Sequence, residues 1–194
     1  MTTKILKSIL LVGTTAALFS FDLPTNWFSA GSKPKSYEMD IDKSSGRDGK
    51  NAVTIKSIEK KIDGFGTLMQ ECKPHKYLGK RVRMSGYIKS ENVEGWSGFW
   101  LRVDQADSRQ ALSFDNMENR GVKGTTGWTK YVIVLDVPAK TSMLAYGALL
   151  SGTGQIWFDN ITFEIVDNSV KTTDSMDGGN TTILNEPTNL DFKK

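Results

Sequence analysis

Residues 80–104 read KRVRMSGYIKSENVEGWSGFWLRVD. Two runs within this stretch alternate with a period of two. Val82, Met84, Gly86 and Ile88 fall on one side, and Arg83, Ser85, Tyr87 and Lys89 on the other. Further on, Ser97, Phe99, Leu101 and Val103 oppose Trp96, Gly98, Trp100 and Arg102. Side chains alternate across a strand, so each run is a β-strand with one apolar face. Val82, Met84, Ile88, Phe99, Leu101 and Val103 are the expected core. The polar segment Ser90–Gly95 reads as a short loop, which would make the two strands a hairpin.

Outward from this stretch the chain keeps the same character. Residues 36–42 (SYEMDID) set Tyr37, Met39 and Ile41 against Glu38, Asp40 and Asp42, and residues 51–58 alternate through Val53 and Ile55. Glycine turns separate these segments. Residues 65–71, 110–116, 128–137, 142–150 and 155–166 add further strands, with Leu112 and Phe114 expected on one face and residues 121–127 expected as a loop. No segment carries a long helical period with caps. About ten short strands with turn signals between them predict an all-β, antiparallel sandwich or barrel.

The 194 residues suit one main domain with tails. Lys4 and Lys7 precede the apolar run Ile9–Phe21, the pattern of a secretory signal peptide, read here as residues 1–21. The run is too short for a membrane span. The sandwich is expected over residues 22–166, followed by a polar, flexible tail over 167–194 in which Pro187–Phe192 (PTNLDF) echoes Pro24–Phe28 (PTNWF). The formal net charge is +3, and setting aside Lys4 and Lys7 reduces it to +1. Such a balance argues against a general nucleic-acid binder. A single cysteine, Cys72, excludes an intrachain disulfide, and the single histidine, His75, leaves a zinc site without its usual ligands.

Three stretches together resemble a known group: Tyr77 to Lys89, Trp128 to Val137, and Gly154 to Phe163 within SGTGQIWFDNITFEIV. They resemble the jelly-roll modules of the galactose-binding-like superfamily, which includes several families of carbohydrate-binding modules. Residues 86–104 with 112–117 (LSFDNM) also resemble an accessory domain that accompanies regulators or peptidases in some bacterial proteins. The resemblance covers about residues 24–166. It implies an antiparallel jelly roll of roughly 8–10 strands. It also implies a structural calcium near Asp159, with Asp40, Asp42 or Asp48 as companions; Asp159 and Asp42 are the metal candidates. Hydrogen bonding of Asp159 to the turn at 44–50 is the competing reading of that residue.

No catalytic constellation is legible. No paired carboxylates, G-x-S-x-G elbow or phosphate-cradling glycine loop is present. The aromatic and charged strand faces are the sharper signal. Sugar rings stack on Trp and Tyr, while their hydroxyls bond to Arg, Gln and carboxylates. Trp96, Trp100, Arg102, Arg83 and Tyr87 are therefore the candidate ligand-binding residues, with Gln70, Asp104 and Asp115 flanking and Gly98 opening a trough. The competing arrangement has Trp100 under a crossing loop and Arg102 in an ion pair. Trp128 and Trp157 read as structural. The expected function is an exported, non-catalytic module for a carbohydrate or small polar ligand; the alternative is a structural or protein-interaction domain with a protein partner.

Overall fold

The computed structural model describes residues 23–174 and 176. The signal-peptide segment and the PTNLDF echo lie outside the described residues. Nine strands run in chain order: β1 (Phe28–Gly31), β2 (Tyr37–Asp42), β3 (Ala52–Ser57), β4 (Phe65–Cys72), β5 (Lys80–Gln105), β6 (Ser113–Asp115), β7 (Val122–Val137), β8 (Thr141–Ser151) and β9 (Gln155–Val166). Every pairing is antiparallel. Three short 3-10 turns are the only helical elements among the described residues. None of these is long and apolar enough to cross a membrane.

The expected hairpin does not form. Residues 80–105 are one strand of 26 residues that serves both sheets. Its first half pairs with β7 and β9, so the first sheet runs β7-β5-β9-β3-β2. Its second half pairs with β8 and β6, so the second runs β1-β4-β8-β5-β6. Register shifts against β7 at 88/90, 90/93 and 93/97 mark the corner between the halves. Strands that switch sheets turn at such irregularities. At the corner Asn92 has φ 51°, and a side chain on Gly95 would meet the Ser151 carbonyl oxygen at 2.1 Å. Of residues 121–127, expected as a loop, 122–127 instead form the first arm of β7, which reaches across the corner to pair Val122 with Ser97.

The alternation read from the sequence holds within each half. Val82, Met84, Ile88, Phe99, Leu101 and Val103 are all buried in one core. Because β5 doubles back over itself, residues from its two halves meet across that core. A Cβ on Gly86 would lie 2.7 Å from Phe99 Cζ, and the Phe99 ring packs edge-on against Phe158 at 6.2 Å. Residues 167–174 continue past β9 along the sandwich. Arg81 Nη1 donates to the carbonyls of Asn168 and Val170. Thr173 bonds to Val134, and the Phe114 amide donates to Asp174.

Tyr37 ties the start of β2 to the second sheet: its hydroxyl shares its proton between the carbonyls of Gly64, just before β4, and Gly152, just after β8, 3.2 and 2.9 Å away. Burial pushes its ionisation up from 10.0 to about 12. Below pH 10 the native and unfolded chains both hold the proton, and between pH 10 and about 12 only the unfolded chain releases it. Stability contributed by the neutral phenol is thus complete below pH 10 and drains away across that interval. Thermal midpoints measured from pH 9 to 12 should fall, and Tyr37→Phe should show a shallower fall over the same range.

Candidate functional site

The outer face of the second sheet carries a groove. In β5 the odd-numbered residues 97–103 face the core, so Trp96, Trp100, Arg102 and Asp104 face outward. Thr67 and Met69 of β4, Leu149 and Ala145 of β8, and Phe114 of β6 stand beside them. Met69, Trp100, Ala145 and Leu149 form a small apolar cluster separate from the main core, with Ala30, Trp96 and Phe114 against it. A cavity of about 300 Å³ opens here, lined by Trp96, Trp100, Arg102, Met69, Phe114 and Asn116 among others. A second, wider recess of about 860 Å³ lies further along β5; Arg102 lines both.

The two tryptophans are not equivalent. Trp100 is 8% exposed and forms the floor. Its indole N–H donates to Thr67 Oγ1 at 2.8 Å, and the Thr67 hydroxyl donates onward to the Ala148 carbonyl. Trp96 is half-buried. A Cβ on Gly121 would lie 3.0 Å from Trp96 Cβ and 3.1 Å from ring atom Cε3, so the backbone just before β7 backs this side chain. Gly98 does not open the trough to a ligand, because a Cβ there would meet Met117 Cβ at 3.0 Å and the Asn116 carbonyl oxygen at 3.3 Å. The turn after β6 fills that space.

That turn is the wall of the groove. Met117 adopts φ 62° and is fully buried. Its amide donates to Asp115 Oδ1 at 2.8 Å. Asp115, 1% exposed, also takes both Nη groups of Arg120 at 3.0 and 2.5 Å. Asp115 thus supports the wall from beneath. Phe114, expected to share a face with Leu112, lines the groove, whereas Leu112 packs against the main core.

The other expected site residues lie elsewhere. Arg83 and Tyr87 are on the first half of β5, hence on the outer face of the first sheet. Arg83 pairs with Glu164 at 3.0 Å, and the Arg47 guanidinium stacks 3.8 Å from the Tyr87 ring centre. Gln70 follows Leu68 on the inward face of β4; it accepts a hydrogen bond from the Tyr146 hydroxyl and donates to the Asn26 carbonyl at 3.4 Å. The hairpin that would have united Arg83 and Tyr87 with the tryptophans is absent, and Gln70 is turned inward by the phase of β4. Met69, Thr67, Phe114 and Leu149 were not singled out in the sequence. The phase of β4 pairs Thr67 with Met69, but a periodic pattern carries no signal for which strands adjoin.

The two calcium candidates are otherwise engaged. Asp42 Oδ2 accepts the Trp157 indole N–H at 2.6 Å, and Asp159 Oδ2 accepts the Arg47 amide at 3.3 Å. The competing reading of Asp159, a bond to the 44–50 turn, matches this geometry. Among the described residues no three His, Cys, Asp or Glu side chains converge as a metal cluster. Trp157 is buried, with the Lys89 ammonium 4.2 Å from its ring centre. Burial pushes the Cys72 thiol up, disfavouring the thiolate, and His75 sits on an exposed 3-10 turn.

The fold is an antiparallel jelly roll. The CBM22-1 xylan-binding domain of Paenibacillus barcinonensis Xyn10C superposes with a TM-score of 0.52 and 16% identity, over 75% of this chain and 89% of that one. The enzymatically active domain of a bacteriophage CBA120 tailspike protein reaches 0.54 at 12% identity, over 73% of this chain and 20% of that one. In sequence, the chain is 43% identical over 169 residues to an uncharacterised HTH-type transcriptional regulator, YbfP, of Bacillus subtilis (strain 168). The match takes in 87% of this chain and 56% of the regulator, so the chain spans little more than half of that relative. No family model matches the chain.

The Thr67–Trp100 bond provides a direct check on the groove floor. Thr67→Val keeps the shape but leaves a buried indole N–H without an acceptor, which costs about 1–3 kcal/mol. Urea unfolding should register that loss, and Thr67→Ser should recover most of it.

Proposed function

We propose that this protein is a non-catalytic binding module that holds a carbohydrate or small polar ligand in the groove on the outer face of its second sheet. The observation that carries this reading is the cavity itself. It is an apolar recess with Trp100 as floor, Trp96 at its side, and polar atoms of Arg102 and Asn116 at its margin. Recesses with apolar walls and a few placed polar groups are the usual form of small-ligand sites. An aromatic floor suits the C–H face of a sugar ring, and Arg102 and Asn116 suit its hydroxyls. The named ligand of the superposed xylan-binding domain belongs to the same chemical class.

The bacterial relative supports a binding role from a different direction. A helix-turn-helix needs two α-helices, and the described residues here contain none. In a protein of that design the jelly roll would be the part that senses a ligand, with DNA contacts carried by the remainder of the chain. A protein-interaction role is the second reading, and the same relative favours it, because a regulator's sensing half must also signal to its DNA-binding half.

Titration with a panel of soluble oligosaccharides, followed by tryptophan fluorescence, tests the proposal. At least one glycan should shift or quench the emission, and Trp96→Ala and Trp100→Ala should each abolish the response while the fold persists by circular dichroism. A silent panel combined with retention of a defined protein partner would replace the sugar reading with the interaction one.

Export is the second part of the proposal, supported by Lys4, Lys7 and the apolar run Ile9–Phe21. Mass spectrometry of the protein recovered from outside the cytoplasm should find a new N-terminus near Ser20. An intact N-terminus on cytoplasmic protein would refute it.

A further inference from the structure

The groove does not end at the tryptophans. Arg102 forms the join between the apolar cavity and the wider recess, and the recess also carries Lys73, Arg109, Glu71 and Asp104. Three cations therefore face two carboxylates, and one carboxylate is already committed: Asp104 Oδ2 accepts Arg102 Nε at 2.9 Å. That bond fixes the guanidinium plane from one side. Among the described residues neither Nη of Arg102 has a protein acceptor, and neither Lys73 nor Arg109 is in an ion pair. The Arg102 side chain is 47% exposed, whereas its Asp104 partner is 9% exposed. An arginine held by a buried carboxylate, with its two outer N–H groups presented to a recess, matches the planar, two-oxygen geometry of a carboxylate ligand.

Resting on the proposed sugar site, we infer that the preferred ligand is an acidic saccharide. One ring lies on Trp96 and Trp100, and a uronic acid carboxylate is taken by the outer edge of Arg102. Lys73 and Arg109 supply the surrounding positive field. The join at Arg102 implies that the ligand spans at least two rings, one for each recess.

The probes are two acid–ester pairs of trisaccharides: 1,4-linked uronic acid trimers, in α and β series, each with the same trimer as its methyl ester. Calorimetry on the full chain should show the free acid of one series binding about tenfold or more tighter than its ester, the size expected for a hydrogen bond to a charged group. Added salt should narrow the gap. Arg102→Gln should bring the acid down to the level of the ester. Arg109→Gln, on an exposed loop where folding is not at stake, should remove part of the preference for the acid. Equal binding of acid and ester, with both lost in Trp100→Ala, would overturn the acidic preference and leave the sugar site standing. A preference for the acid that survives Arg102→Gln would overturn the assignment to this recess. Binding of neither trimer in either series would overturn the inference; whether the sugar site falls with it is decided by the neutral panel.

Discussion

Gly86 and Phe99 meet across the core although they belong to the same strand. A Cβ at residue 86 would come within 2.7 Å of the ring, and Ile161 closes the same space at 3.2 Å. This contact holds the two halves of β5 face to face and so sets the spacing of the two sheets over that region. Everything else is hung from it. β7 and β9 complete the first sheet on one half of β5, and β8 and β6 complete the second sheet on the other. A glycine in the middle of a strand normally weakens it. Here the missing side chain is what lets an aromatic ring from the opposing sheet fill the interior.

The same topology decides where a ligand can go. A strand shared by two sheets turns its non-core residues to opposite outer surfaces of the sandwich. Arg83 and Tyr87 face one surface and Trp96, Trp100 and Arg102 the other. The first surface is closed by its own side chains: Arg47 lies on Tyr87, Lys89 lies near Trp157, and Arg83 pairs with Glu164. The second surface is closed only in part. Its aromatic cluster has a floor and one wall, and the volume between them is unfilled by protein.

The distinction between legible and illegible features is physical. Alternation identified the six core residues of β5, because burial on one face imposes a period of two regardless of what the strand pairs with. It could not separate a hairpin loop from a strand corner. Glu91, Asn92 and Glu94 are exposed at the corner, and a hairpin loop would expose the same residue types for the same reason. The misplacement of Arg83 and Tyr87 follows from that single ambiguity. Gln70 is a different case: its position two residues after the buried Leu68 already implied an inward side chain. Phe114 is harder still, since β6 has only three residues and too little length to show a period. The jelly-roll likeness of the 77–89, 128–137 and 154–163 stretches was legible because those residues build the sheets themselves, whereas the groove depends on how short elements pack on the outside.

The floor and wall of the groove are specified by different forces, and that separation bears on how such a site can be tuned. The floor is an apolar cluster pinned by one hydrogen bond, from Trp100 to Thr67, and its residues are strand positions whose phase the core already fixes. The wall is held by charge: Asp115 is buried against Arg120 and the Met117 amide, and together they set the course of the turn that carries Asn116. An ion pair to a buried carboxylate adds little net stability, but removing the arginine leaves an uncompensated buried charge, so the pair acts as a strict constraint on geometry. Asn116 and Arg102, by contrast, meet the cavity from positions that the core does not use. Substitutions there can change which polar groups line the groove without disturbing Gly86, Phe99 or the register of β5. A jelly roll of this kind can therefore keep one aromatic floor while the polar rim around it varies.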